Sequence, residues 1–332
     1  NMFAKTFEKF SYTSAGISTF LLLGISYYYT TLDINWSLFE SKIINGILIF
    51  GALMLSNYAI DTVTRQLTIE RSNRSAYHLM LYPLIVMSYP VESIDMRFIL
   101  SSAFIWSAWR NMRIFFEFTN TTKKIKRLFD ASLLLSFSSL LIVENLIIFI
   151  YPLLALITSN IKRDSKHYII IFMTPIIILP SAYVLLSFLS LDSYFFSSYF
   201  FADQPTAMDE YNFIPNSSRF FLMLVEEFKF NLTYSYVPIF IVFVLFVISV
   251  IIKFSRTYSL KRRILDVLGV LFIILTSLFF SMEQLSGSEF HYLSLPVVYM
   301  VSQIFVKKIK SLYVNFIFIV LIASIVTFNF LI

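Results

Sequence analysis

The chain has 332 residues, of which 58% are hydrophobic and 14% are charged, and its net charge is +6. A soluble domain is about 45–50% apolar and about 25% charged, so this composition excludes a single water-soluble globule. The 6 Gly, 9 Pro and absent Cys also exclude collagen-like, disordered and disulfide-rich chains, as well as thiolate chemistry. The composition therefore predicts an all-α, polytopic membrane bundle that forms one integral domain over residues 1–332.

Eleven apolar segments approach the length of a membrane span, which is about 20 helical residues. Their apolar runs are continuous rather than alternating, which favours helices over barrel strands. In chain order the predicted spans are Ser14–Leu32, Ile43–Ile60, Tyr77–Val91, Ile94–Met112, Phe129–Val143, Asn145–Ser159, Tyr168–Leu189, Tyr236–Ile252, Ile264–Ser281, His291–Val306 and Leu312–Leu331.

Two regions depart from simple spanning. The fifth and sixth segments form a central hairpin whose halves reach only about 22–24 Å at 1.5 Å per residue. Its turn at Glu144–Asn145 should lie below the outer surface, which makes Glu144 the predicted buried polar side chain. The longest outer loop covers 190–235, and within it Arg219–Tyr234 has the pattern of an amphipathic helix on the outer interface.

The basic residues are distributed unevenly between the two sides of this layout. When the connections alternate between the sides, 22 of the 26 Lys and Arg residues fall on one side. The positive-inside rule places that side in the cytoplasm, with the amino terminus inside and the carboxy terminus outside. This distribution is the ordinary bias of membrane loops, so the net positive charge does not indicate a nucleic-acid partner.

Carboxylates are more frequent on the predicted outer side, where catalysis would be expected. Asp33 follows the first span and could act as a general base, or hold a divalent cation together with Asp95. The alternative is that Asp33 caps a short helix beginning near Asn35. The later outer segment Met282–Tyr292 could bind a phosphate or a sugar, or could simply be a turn between two spans. The candidate catalytic residues are Asp33, Asp95, Glu283, Glu289 and His291.

The densest basic patch follows the fourth predicted span, on the predicted cytoplasmic side. It favours binding of anionic lipid, with a cytoplasmic partner as the alternative. The three histidines are far apart in sequence, so we expect no metal centre and no cofactor, apart from a divalent cation if the protein is a transferase. The patch consists of Arg110, Arg113, Lys123, Lys124, Lys126 and Arg127.

Two resemblances follow from ordered features of the chain. The run Lys123–Ser132, with its Phe-Asp-Ala step, and the later prolines Pro175 and Pro180 resemble an uncharacterised multipass family of Bacteroidota inner membranes. The chain has an acidic residue after its first span and short paired central helices. This arrangement is similar to that of C-superfamily glycosyltransferases, which use polyprenyl-phosphate sugars. That resemblance implies a catalytic or metal-binding role for Asp33.

Few charges lie within the predicted spans, and the sequence lacks the Walker A, HExxH and GxSxG motifs. These features favour a non-catalytic subunit of a cell-envelope complex, in contact with lipid and with other membrane subunits. A lipid-linked glycosyltransferase at the outer face is the alternative, and a transporter or lipid flippase is the third. We expect a bacterial inner membrane, with the mitochondrial inner membrane as the alternative because an AT-rich gene would give a similar composition.

Overall fold

A computed structural model describes residues 6–8, 10–39, 41–67, 76–89, 91, 93–117, 120–158, 165–188, 237–254, 287–306 and 311–327. These residues form an all-α bundle that also contains one pair of short strands. The α-helices are α1 (Tyr12–Thr31), α2 (Lys42–Leu67), α3 (Tyr77–Met87), α4 (Met96–Glu117), α5 (Thr121–Leu141), α6 (Ile150–Thr158), α7 (Ser165–Phe188), α8 (Val237–Phe254), α9 (Ser294–Val306) and α10 (Ser311–Val326).

The remaining elements are two strands and two 3-10 helices. The strands are β1 (Asp33–Trp36) and β2 (Ser93–Asp95). The first 3-10 helix covers Val143–Phe149 and the second covers Ser288–Leu293.

Helices occupy ten of the eleven predicted segments, so the all-α prediction is confirmed. The eleventh segment, Ile264–Ser281, and the predicted interfacial helix Arg219–Tyr234 lie outside the described residues. Within the described part, Lys42–Thr62 and Ser165–Phe188 have the length and hydropathy needed to cross a membrane. Several shorter apolar helices accompany them.

Side-chain caps fix where two of the long helices begin. Ser11 accepts a hydrogen bond from the backbone of Ser14, whose hydroxyl accepts one from Ser11 in return, so a capping box starts α1. Asn120 accepts from the backbone N–H groups of Thr122 and Lys123 at the start of α5. These side chains satisfy donors that the first turn of a helix leaves without partners.

The sequence did not predict the two strands. Leu32 has extended backbone angles and ends α1, and the chain continues directly into β1. Strand β1 pairs with β2 in parallel, with Asp33 opposite Ser93 and Trp36 opposite Asp95. The alternative in which Asp33 caps a helix near Asn35 is therefore wrong, because the residues that follow Asp33 are extended and bonded to a neighbouring strand.

The central turn also differs from the prediction. Seven residues of 3-10 helix separate α5 from α6, where a two-residue turn was expected. Glu144 is exposed, whereas Asn145 is 1% exposed, so the prediction of Glu144 as the buried polar group is wrong. A 3-10 helix has three residues per turn, and this places Asn145 and Ile148 together on the buried face.

The bundle presents apolar side chains on its outside as well as in its core. Helix α7 packs mainly against α5, and only 11% of its apolar stretch is buried in the bundle. Large exposed side chains on α7 include Ile169, Phe172, Met173, Ile176, Ile177, Val184, Leu185 and Phe188. Exposed apolar area of this extent on one helix is typical of a surface that contacts lipid or another apolar surface.

Helices α1 and α2 cross closely at Gly46. The Ser26 hydroxyl donates to the Gly46 carbonyl at 2.6 Å, and a Cβ atom at Gly46 would lie 2.9 Å from the Thr30 methyl group. Thr30 cannot rotate away freely because its hydroxyl donates to the Tyr27 carbonyl at 2.7 Å. The crossing therefore requires a residue without a side chain.

We expect Gly46→Ala to lower the melting temperature in detergent. Overpacking costs about 1–3 kcal/mol, which exceeds the roughly 1 kcal/mol that Ala gains over Gly within a helix. Thr30→Ser in the same chain removes the methyl group and should restore the loss. Gly51→Ala is the matched control, since nothing lies within 4 Å of its added Cβ atom. Equal melting temperatures for the two Ala variants would contradict the close crossing.

Candidate functional site

Three segments that are distant in sequence meet at one end of the bundle. We call this region the strand end and define it as β1, β2 and the second 3-10 helix. The Ser288 hydroxyl accepts from the Asp95 backbone N–H at 3.1 Å and donates to the Ser93 carbonyl at 3.2 Å. One side chain thus fixes the second 3-10 helix to the strand pair.

An arginine lies beside the strands in a defined orientation. The Arg97 guanidinium pairs with the Asp95 carboxylate at 2.6 Å from its terminal nitrogen, and its Nε contacts both carboxylate oxygens. The Arg97 backbone N–H also donates to Asp95, at 3.0 Å. The guanidinium carbon lies 5.6 Å from the centre of the Trp36 ring. Two-point ion pairs of this kind hold a guanidinium in one plane.

Asp33 and Asp95 differ in their surroundings although their strands are paired. Asp33 is exposed, whereas Asp95 is 5% exposed and its carboxylate already faces Arg97. Of the two, only Asp33 is open to an incoming hydroxyl group. Asp95 is placed to orient Arg97.

His291 is enclosed by two phenol rings. Its Nε2 lies 3.2 Å from the Tyr29 hydroxyl, and the rings of Tyr29 and Tyr89 meet it edge-on at 5.9 and 5.4 Å. The Tyr89 hydroxyl is 2.8 Å from the Ser294 hydroxyl, and the Tyr89 ring stacks on Phe290. His291 is 1% exposed, so it contributes to the packing of this end and is not open to solvent.

Tyr292 connects the strand end to the central hairpin. Its hydroxyl lies 2.7 Å from the Ser101 hydroxyl and accepts from the Asn145 amide at 2.9 Å. The same amide donates to the Ser138 hydroxyl at 2.8 Å. The segment begins at Gly287, whose φ of 87° lies in the left-handed region that favours glycine. These contacts join α4, α5 and the two 3-10 helices through buried side chains.

The structure places four of the five predicted catalytic residues at the strand end, on three adjoining segments. Glu283 lies outside the described residues. The catalytic roles of these residues stay predictions. The residues differ in burial, since Asp33 is exposed whereas the other three are buried. The four are Asp33, Asp95, Glu289 and His291.

Sequence reasoning missed Arg97 and Trp36 as parts of this site. A signal for Arg97 was present, because it is one of only four basic residues on the predicted outer side and follows Asp95 by two positions. No sequence pattern indicated Trp36, since its position beside Arg97 depends on the parallel pairing of the strands.

The described residues contain no group of three or more His, Asp or Glu side chains that could hold a metal ion. Asp33 and Asp95 lie on neighbouring strands, but the Asp95 carboxylate is engaged by Arg97. This arrangement gives no support to the expected divalent cation between these two carboxylates.

The predicted basic patch lies at the other end of α4 and α5. Lys123 and Lys126 are exposed, and the Arg110 guanidinium lies 4.6 Å over the Tyr58 ring. Arg127 donates to the Asn111 side chain at 3.1 Å. These basic groups fit a surface that faces anionic groups.

Two other members of the basic patch are held by neighbouring helices. Lys124 lies 6.0 Å from the Phe115 ring. Arg113 is 8% exposed, so it contributes little to the surface of the patch. Arg113 lies within electrostatic range of Tyr151 on α6 and Tyr299 on α9, so neighbouring helices enclose it.

Comparison with known proteins gives no relative for this chain. No family model, no curated protein and no solved structure matches it.

We expect Tyr292→Phe to lower the free energy of unfolding by about 1–3 kcal/mol. The change keeps the ring and removes the hydroxyl, so Ser101 and the Asn145 amide each lose a buried partner. The measurement is thermal unfolding of the purified chain in detergent. Tyr12→Phe is the matched control, since Tyr12 is 95% exposed; equal effects of the two changes would contradict the connecting role of Tyr292.

Proposed function

We propose that the protein is a multipass membrane protein that transfers a sugar from a lipid-linked donor at the outer face of an inner membrane. The observation that carries this proposal is that one strand pair presents an exposed carboxylate and also holds an oriented arginine against an aromatic ring. These groups are Asp33, Arg97 and Trp36.

The apolar exterior of the bundle supports the membrane part of the proposal. Water does not favour the extensive exposed apolar surface of α7, whereas hydrocarbon does. We further propose the eleven-span layout, with the amino terminus inside and the carboxy terminus outside. Support comes from contacts at each end of the bundle.

Connections that the charge pattern places outside contact one another at the strand end: β1, β2 and the second 3-10 helix. Two segments that it places inside also meet, where the Ala76 backbone N–H donates to the Phe7 carbonyl at 2.9 Å. An alternating layout accounts for both sets of contacts.

The proposed reaction assigns one role to each of these three groups. The Asp33 carboxylate takes the proton of an acceptor hydroxyl as the oxygen attacks the anomeric carbon of the donor sugar. The bond between that carbon and the phosphate oxygen breaks, and the lipid phosphate leaves with the bonding electrons. Arg97 stabilises the negative charge on this phosphate, and the Trp36 ring offers an apolar face to the sugar.

The buried members of the cluster have a positioning role in this proposal. Asp95 orients Arg97 through the two-point ion pair. Glu289 and His291 are each 1% exposed, and we assign them to the support of the strand end rather than to contact with substrate. This assignment differs from the expectation that all of them line the site.

A non-catalytic role in a cell-envelope complex is the second candidate. The observation that favours it is α7, whose exposed apolar side chains form a continuous surface for another membrane protein. A transferase would depend on the strand end, whereas a subunit of a complex would depend on the exposed surface of α7.

The membrane layout can be tested with single cysteines, because the chain has no Cys of its own. We expect Asp33→Cys in intact cells to react with a membrane-impermeant maleimide. Lys126→Cys should react only after permeabilisation, since we place it in the cytoplasm. Both positions are exposed in the bundle, so a difference in labelling reports the side of the membrane. Labelling of both variants in intact cells would contradict the layout.

Activity is tested by the glycan profile of a deletion strain that carries each variant. Loss of a general base typically lowers the rate by 10²–10⁴-fold, so we expect Asp33→Asn to abolish the glycosylated acceptor. Arg97→Gln should also remove it, because the leaving phosphate loses its cation. Lys42→Gln is the control, since Lys42 is an exposed residue at the start of α2.

The variants must have wild-type melting temperatures for this comparison to hold. A normal glycan profile with Asp33→Asn would overturn the proposed transferase activity. Recovery of partner membrane proteins with the chain in mild detergent, lost on Phe172→Ser and Ile176→Ser, would then favour the subunit.

A further inference from the structure

A half-buried stripe runs along helix α4 on the outside of the bundle. Over residues 99–109 every side chain of α4 is buried except those of Leu100, Phe104 and Ser107, which are half-buried. Their spacing of four and then three residues places them on one face of the helix. This face is therefore the part of α4 that its neighbours leave uncovered.

Helices α2 and α5 flank the uncovered face, and α4 packs extensively against both of them. On the side of α5, the Phe104 ring lies 6.0 Å from the Phe137 ring. On the side of α2, the Arg110 guanidinium lies over the Tyr58 ring. The uncovered face is therefore the floor of a groove whose walls are α2 and α5. We call it the α4 groove and define its surface by Leu100, Phe104, Ser107 and Phe137.

Two arginines lie at one end of the α4 groove. The Arg110 guanidinium lies 4.6 Å from the centre of the Tyr58 ring and donates to the Tyr58 hydroxyl at 3.1 Å. Arg127 of α5 donates to the Asn111 side chain at 3.1 Å. Asn111 directly follows Arg110 and is four residues beyond Ser107, on the face that forms the groove floor. Both guanidiniums are therefore held at the same level of the groove.

The charge at this end of the groove is positive. Lys126 precedes Arg127 and is exposed. Asp130 lies 3.7 Å from Arg127 and offsets part of the charge, but the basic groups outnumber this carboxylate. A guanidinium is a planar donor that matches the oxygen atoms of a phosphate. This end of the groove is therefore suited to a phosphate group.

The length and the apolar character of the groove indicate what would extend from that phosphate. The ten residues from Leu100 to Arg110 rise about 15 Å along α4. This is about half of a hydrocarbon core of roughly 30 Å, or the depth of one leaflet. Apart from Ser107, the groove surface is apolar, and the Phe137 ring is 38% exposed. A ligand that fits has an anionic headgroup and a hydrocarbon chain about one leaflet long.

We propose that the α4 groove binds one anionic glycerophospholipid, with its phosphate between Arg110 and Arg127 and an acyl chain along the groove floor. Basic pockets between membrane helices on the cytoplasmic side are typical sites for anionic headgroups. The phosphate receives charge-assisted hydrogen bonds from guanidiniums that Tyr58 and Asn111 already orient. The bound lipid joins α2 to α5. The groove is separate from the strand-end site, so its occupancy does not depend on sugar transfer.

The experiment offers equal amounts of phosphatidylglycerol and phosphatidylcholine, with the same acyl chains, to the purified full chain in detergent. Native mass spectrometry then counts the bound lipids. We expect one phosphatidylglycerol to bind in preference to phosphatidylcholine. Arg110→Gln should weaken its binding by about tenfold, which is typical of the loss of one charge-assisted hydrogen bond. Lys42→Gln, which removes a positive charge at the start of α2, is the control and should bind as the wild type does.

Ser107→Phe fills the groove floor without changing any charge, so it should also prevent binding. Ser181→Phe is its matched control, because Ser181 is an exposed serine of α7. Equal binding of the two lipids by the wild-type chain, or equal phosphatidylglycerol binding by the two Phe variants, would overturn the proposal. A lipid-free dimer that Ser107→Phe disrupts would assign the groove to a second copy of the chain instead. Arg110 is half-exposed, so Arg110→Gln decides the point even if Ser107→Phe fails to fold.

Discussion

The Ser288 hydroxyl ties together the parts of the chain on which the candidate site depends. It bridges the carbonyl of Ser93 and the backbone N–H of Asp95, so it fixes the second 3-10 helix against β2. The same strand carries Asp95, which in turn orients Arg97 beside Trp36. A hydroxyl that satisfies two buried backbone groups is costly to remove, and the geometry of the whole strand end relies on this contact.

The bundle differs from a soluble protein because it carries large apolar side chains on its outside as well as in its core. Serine, asparagine, tyrosine and histidine side chains lie inside and bond to one another, as in the contacts that converge on Tyr292. Large apolar side chains lie outside, most clearly on α7. In hydrocarbon the hydrophobic effect does not hold helices together, so close packing and buried hydrogen bonds must do so. The crossing of α1 and α2 at Gly46 is such a close approach.

The two polar sites differ in what they can exchange with their surroundings. The strand end presents the exposed Asp33 and suits a ligand that arrives from its surroundings. The His78 imidazole and the Asp61 carboxylate, 2.9 Å apart between α2 and α3, are instead buried among helices. Because α3 has His78 near its start and Tyr89 just after its end, this one short helix lies beside both sites.

The sequence alone predicted an all-α bundle and the positions of most helices, and it placed Asp33, Asp95, Glu289 and His291 on one side of the predicted layout. It could do so because hydropathy and charge are properties of the residues themselves. Tertiary structure decided the rest: the period of three in a 3-10 helix buried Asn145 instead of Glu144, and neighbouring helices enclosed Arg113. Parallel pairing of two distant strands placed Trp36 beside Arg97, and no local pattern encodes a contact between segments about 60 residues apart.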